Sequence, residues 1–211
     1  MGNKLTHSNI TKEEINTLPV VLFEGRIFVV QSEEEANKAV AYLSKFEEIG
    51  FDTETRPAFK KGVRHQVCLL QLSTADTCFL FRLNHIGLPA SVIALLADEK
   101  VKKIGLAIKD DFVALGRRTP FIPKGQVELQ HFVKQYGILD NSLQKIFALL
   151  FRQKISKSQR LTNWEADVLT EAQKKYAATD AWASLRIYQT LIQTEQEIEE
   201  NLNTKPNSLT E

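Results

Sequence analysis

Two carboxylates close a short apolar run, Phe51-Asp52-Thr53-Glu54-Thr55. Ile49 and Phe51 mark the run as an interior strand leaving a core. Side chains alternate along a strand, so Asp52 and Glu54 project from one face with Cα atoms roughly 6.5–7 Å apart. Like charges at that range repel unless a cation lies between them. The chemistry open to this pair is therefore divalent-cation chemistry. Two solvated acids at a strand's mouth would read the same way, so the remaining residues have to decide.

Two other stretches offer partners. Tyr176 and Asp180 are four residues apart and share one helix face. Ala177, Ala178, Ala181 and Ala183 surround them, and side chains that small let a helix approach a sheet closely enough to bring Asp180 to the Asp52 strand. An alanine-rich packing face with an incidental acid is the alternative. Between Lys103 and Phe112 a strand passes into a helix whose first turn bears Asp110 and Asp111. An acid there is stabilised by the helix dipole by roughly 0.3–1 kcal/mol, which accounts for one of the pair and leaves open which one is free for chemistry.

Basic residues flank these acids. Arg56, Lys60, Lys61 and Arg64 follow the first pair, and Arg152, Lys154, Lys157 and Arg160 precede the Tyr176 helix without an intervening acid. Runs of one sign in a neutral chain are candidate tracks for a phosphate backbone. Phe59, inside the first run, is placed either to stack on a base or to pack its own loop.

The elements that must position these residues follow from caps and periodicity. Thr11 to Glu14 forms a capping box that opens a short helix stopping before Pro19. Residues 20–23 and 27–30 are short β-type runs, and Ser32 with Glu35 caps a helix through about Phe46 that delivers the chain to the Asp52 strand. Residues 67–72 and 77–81 form a hairpin apolar on both faces, hence central in a covered sheet. Residues 89–97 read as helix, 101–107 as strand and 110–117 as helix. From Gln130 onward the chain reads as almost wholly helical, with breaks near 137–141 and 155–162. Thr170 and Gln173 cap the long helix that runs through Tyr188 and Leu191, and a frayed tail follows. The expected fold class is α/β, a mixed sheet with helices on both faces.

Composition sets outer bounds. The 211 residues suit one domain with a single large core. A net charge of +1 means that affinity for nucleic acid must come from local clusters. Cys78 should face a position near Leu72, away from Cys68, so both are expected as buried thiols in a reducing compartment. No stretch has the apolar length of a membrane span and no secretory signal opens the chain, so an intracellular protein without a membrane partner is expected, cytoplasmic or nuclear according to its source. Met1 to Thr6 matches the loose myristoylation pattern.

In their order, Phe51-Asp52-Thr53-Glu54, the segment 105–112 and Tyr176-x-x-x-Asp180 resemble the three motifs of the DEDD 3′–5′ exonucleases. The subgroup is the one with tyrosine in the third motif, which includes ribonuclease D and polymerase proofreading domains; the histidine subgroup has its base where this chain has Lys175. Asp52 to Pro57, residues 67–73, Asn163-Trp164 and residues 169–181 are most similar to the Werner-type exonuclease domains and their stand-alone relatives, and the resemblance covers about 20–188.

It implies a ribonuclease H-like mixed sheet with one antiparallel strand, and three regions: a segment 1–19 with a short helix, one exonuclease domain over 20–194, and a polar, acidic tail over 195–211. It implies two cations, Mg2+ or Mn2+, ~3.5–4 Å apart. Asp52 would bridge both, Glu54 and Asp180 would complete the site that activates water, and Asp111 would hold the second ion through water. Asp111 is preferred to Asp110 because it stands where the family motif has its acid, counted from Gly105. Tyr176, with an ordinary pKa near ~10, is a poor base and would orient the attacking water. The implied activity is hydrolysis from the 3′ end of nucleic acid, DNA favoured. The alternatives are an exoribonuclease like ribonuclease D and a non-catalytic binding module on the same fold. Nothing in the sequence points to a protein partner.

Overall fold

The structure, a computed structural model, describes residues 9–60 and 62–203. The myristoylation pattern and Lys61 lie outside the described residues.

The first helix, α1 (Lys12–Thr17), is capped as its sequence requires: Thr11 accepts from the Glu14 amide while the Glu14 carboxylate accepts from the Thr11 amide. Strands β1 (Val20–Val21) and β2 (Arg26–Val30) follow, then α2 (Glu33–Leu43), opened by the reciprocal Ser32–Glu35 cap. The central strands are β3 (Glu48–Thr55), β4 (Val67–Ser73) and β5 (Thr77–Arg82), and all of β4 and β5 is buried. After α3 (Leu83–Ile86) and α4 (Ala90–Ala97), β6 (Lys102–Gly105) leads into α5 (Ile108–Arg118). The chain ends through β7 (Gln126–Glu128), α6 (Leu129–Phe132), a 3-10 turn, α7 (Leu143–Phe151), β8 (Lys154–Ile155) and α8 (Glu171–Asn203).

The six-stranded sheet has the order β2-β5-β4-β3-β6-β7, and β4 alone runs antiparallel to both of its neighbours. Alternation along β4 explains its complete burial. Leu70 and Leu72 join Phe51 and residues of α2, α4 and α5 in one apolar layer, while Leu69 faces Tyr176, Ala177 and Ala178 of α8 in the other. Cys78 pairs with Ser73 in the ladder, and both cysteines are free and buried, as expected.

Several boundaries differ from the sequence reading. Helix α2 ends at Leu43, short of Phe46. The run 20–23 gives only Val20–Val21, which pairs in parallel with Lys154–Ile155 as a separate ribbon. That partner strand falls at the edge of the predicted break over 155–162, and β7 falls between the helix predicted over 110–117 and the helical region predicted from Gln130. Two or three residues carry no period, so only the pairing defines them. Helix α8 also continues past Leu191 to Asn203, so residues 195–203 are helical instead of frayed, while 204–211 lie outside the described residues. Among the described residues no helix is long and apolar enough to cross a membrane.

Candidate active site

The approach of α8 to β3 is set by small residues. A Cβ on Gly50 would run into the Ala181 carbonyl of α8, so the backbones meet at a distance no other residue permits. Ala177, Ala178, Ala181 and Ala183 are all fully buried. Gly50, Asp52 and Glu54 share the strand face that α8 covers. Asp52, Glu54 and Asp180 consequently meet, with carboxylate oxygens all within 4.8 Å of one another.

Burial and mutual repulsion dominate the electrostatics. Burial, then the charges of Asp180, Asp111 and Glu54, hold the Asp52 carboxyl well above its usual range. Glu54 is pushed up to about 9 by burial and by Asp180 and Asp111. Asp180 rises to about 7 through burial, which a hydrogen bond from Tyr176 and the charge of Lys157 partly offset. At neutral pH this cluster holds protons that a cation would displace. Every donor is a hard carboxylate oxygen, a set that suits a hard divalent cation.

The two acids of α5 lie in different surroundings. Asp110 is exposed, whereas Asp111 is half-buried and its Oδ1 accepts a 2.5 Å hydrogen bond from the Thr53 hydroxyl. Burial raises Asp111 to about 6 while that hydrogen bond pulls it down. Asp111 lies outside the group of three, yet its charge acts on both Asp52 and Glu54. The turn that presents it contains Ala107 at φ 56°, and the Ala107 amide donates to Glu128 Oε1 at 2.8 Å. Thr53 and Glu128 thus hold Asp111 in place. Sequence reasoning missed both, since neither belongs to an acidic pattern that spacing could flag.

Tyr176 is nearly buried, with its ring centroid 5.9 Å from that of Trp164. Burial, followed by the charges of Asp180 and Glu54, drives its phenol further above the usual range, so the hydroxyl keeps its proton at neutral pH.

The structure separates the basic residues. Lys157 and Arg160 lie close enough to lower the pKa of Asp180 and Glu54 respectively. Lys154 instead donates to the Asn16 carbonyl at 2.6 Å, and neither it nor Arg152, the left-handed cap of α7, is among the charges that shift the acids. Arg56 pairs with Glu165 at 3.2 Å, which ties the loop after β3 to the loop before α8. Lys60 and Arg64 are exposed on the first loop. Phe59 is 81% exposed and lines a cleft of about 390 Å³ with Arg56, Lys60, Val63 and Leu161, so its loop does not bury it.

Comparison with solved structures defines the class. The chain shares its fold with the Nibbler EXO domain of Aedes aegypti, at a TM-score of 0.74 and 22% identity over 88% of this chain and 97% of that one. It shares it equally with Escherichia coli RNase D, an exoribonuclease, at a TM-score of 0.72 and 21% identity over 82% of this chain and 46% of that one. This is the ribonuclease H-like exonuclease fold. Residues 27–195 match the 3′-5′ exonuclease family, and the chain belongs to it. Among its relatives are the mouse bifunctional 3′-5′ exonuclease/ATP-dependent helicase WRN, 34% identical over 71% of this chain, and an Arabidopsis thaliana 3′-5′ exonuclease, 30% identical over 82%. The chain spans 11% of the mouse protein's length and 66% of the plant protein's. The family is metal-dependent, and the acid cluster fits that dependence.

Proposed function

We propose that the chain hydrolyses phosphodiester bonds from the 3′ end of nucleic acid, using two divalent cations, Mg2+ or Mn2+. The observation that carries this reading is the meeting of Asp52, Glu54 and Asp180 beside Tyr176, with oxygens within 4.8 Å. Cations bound there lower the pKa of water and neutralise charge on a phosphate. Asp52 would hold both ions, Glu54 and Asp180 the ion nearer the attacking water, and Asp111 the other. Tyr176, whose phenolic proton goes to Asp180, would orient that water by accepting from it. Lys157 and Arg160, whose charges reach Asp180 and Glu54, would supply positive charge to a scissile phosphate. Arg56, Lys60, Lys61 and Arg64 would follow the strand away from the site, and the exposed Phe59 would take a base by stacking.

We favour DNA as the substrate from the motif resemblance to the Werner-type exonuclease domains, with RNA as the alternative. The experiment is incubation with end-labelled single-stranded DNA, recessed-end duplex DNA and RNA, with Mg2+, Mn2+ or EDTA, alongside Asp52→Ala. The expected result is a metal-dependent ladder shortening from the 3′ end and absent in the variant. Preference for RNA would replace DNA with the exoribonuclease version. No cleavage of any substrate in either metal would overturn the enzyme reading in favour of a binding module.

A further inference from the structure

Gln71 stands directly opposite Asp52 in the β3–β4 ladder. It is fully buried, yet neither end of its side-chain amide finds a hydrogen-bond partner among the described residues. Buried amides are nearly always bonded, so one left bare at both ends calls for a physical reason. Apolar packing would have been met better by leucine, which the same strand uses on either side at Leu70 and Leu72.

The ladder identifies the missing partner. Residues opposite each other in an antiparallel pair point to the same face with Cβ atoms roughly 4.5–5.5 Å apart, and Asp52 faces α8. Gln71 therefore lies under α8 too. Its neighbours on that face, Leu69 along the strand and Leu80 across from it, are apolar and pack with Ala177 and Ala178. Ser73, two residues on, commits its hydroxyl to the Thr74 carbonyl. The Asp52 carboxylate is the polar group that the register sets beside the amide.

We propose that Gln71 is a positioning residue for Asp52. When Asp52 is ionised and holds a divalent cation, the Gln71 side-chain N–H would donate to its carboxylate and fix the rotation of the group. Such partners behind a ligand orient it and strengthen its hold. The inference rests on the reading of Asp52 as a metal ligand.

The test is Mn2+ binding to the purified chain, followed by electron paramagnetic resonance of free Mn2+, together with metal-free melting temperatures. Three chains are compared: wild type, Gln71→Met and Leu80→Met, the last changing packing in the same layer without touching an amide. Gln71→Met is expected to melt in EDTA no lower than wild type, since it removes an unbonded amide, and to bind Mn2+ about 10–100-fold more weakly. Leu80→Met is expected to bind Mn2+ as wild type does. Equal affinity of wild type and Gln71→Met would overturn the proposal, as would a matching loss in Leu80→Met. A Gln71→Met chain that does not fold without metal would also overturn it, because the amide would then be bonded already in the metal-free state. Absence of Mn2+ binding by the wild type is a separate result and would sink the metal-site reading itself.

Discussion

The Thr53 hydroxyl donates to Asp111 Oδ1 at 2.5 Å, joining the strand that carries two of the acids to the helix that carries the fourth. Thr53 lies on the face of β3 opposite Asp52 and Glu54, so a single strand supplies two acids from one face and a tether from the other. A cation held between Asp52 and Asp111 needs both side chains fixed relative to each other, and this hydrogen bond is a direct link between their elements.

Replacing Thr53 by valine keeps the β-branched shape and removes the donor. The fold should persist, while Asp111 loses the hydrogen bond that lowers its pKa. By analogy with other groups that orient metal ligands, activity at limiting Mg2+ should fall about 10–100-fold and recover in part as Mg2+ is raised. A metal titration of the rate checks it, and an unchanged titration curve would show that Asp111 is held by other means.

The pH dependence of the metal-free fold follows from the direction of the carboxylate shifts. Glu54, Asp180 and Asp111 have folded pKa values of about 9, 7 and 6, all above their unfolded range near ~4. Between the unfolded and folded values the native state binds more protons, so stability falls as pH rises. The stabilising contribution is complete below about pH 4 and is lost progressively through the folded values. In EDTA the melting temperature should therefore drop between pH 5 and 9. Saturating Mn2+ should reverse the drop, because the ion binds the ionised native cluster. A metal-free melting temperature flat across that range would contradict the assignment.

Gly50→Ala probes the helix contact. The added methyl meets the Ala181 carbonyl, which is backbone and cannot rotate away, so α8 must shift. Overpacking of this kind costs about 1–3 kcal/mol, and the same shift carries Asp180 away from Asp52. Stability by denaturant melts and kcat should fall together, whereas Gly116→Ala, where an added Cβ meets nothing within 4 Å, should lower neither.

How far the sequence reveals this site depends on the range of the interactions involved. The Asp52–Glu54 alternation, the Tyr176–Asp180 helical spacing and the Thr11, Ser32 and Thr170 caps are local patterns, and each has its counterpart in the structure. The central hairpin was legible because unbroken apolar runs have one home in a covered sheet. The ribbon of Val20–Val21 with Lys154–Ile155 was not, since its two halves lie far apart in the chain and each is too short to show a period. The Glu128–Ala107 bond was hidden for a related reason: a left-handed turn ordinarily advertises itself by glycine, and here alanine occupies it with a distant carboxylate as support. Equal-looking basic residues were indistinguishable in sequence, because the fold alone decides that Lys154 reaches Asn16 while Lys157 turns to the acids.

Tyr176→Phe removes one hydroxyl and leaves the ring against Trp164. The variant should keep its melting temperature and its Mn2+ affinity while kcat falls roughly 10²-fold, at the lower edge of what a positioned proton-handling group contributes. KM should stay near the wild-type value. A drop in metal affinity would instead make the Tyr176–Asp180 hydrogen bond the feature that matters, with the phenol serving the ligand and not the water.

The division among the basic residues gives the sharpest contrast. Lys157 and Arg160 act on the acid cluster, whereas Arg152 caps α7 and Lys154 is engaged with the N-terminal helix. If the first pair neutralises phosphates, Lys157→Ala with Arg160→Ala should weaken binding of single-stranded DNA and lower the salt slope of log affinity by about 1.4, at about 0.7 per contact. Binding is best measured in Ca2+ with catalysis suppressed by Asp52→Asn in every chain. Arg152→Ala should leave both affinity and slope unchanged, since its removal takes away no phosphate contact. Should Arg152→Ala reduce the slope as much as the double variant, the nucleic acid must run along α7 and away from the Phe59 cleft, and the assignment of the strand's path would have to be reversed.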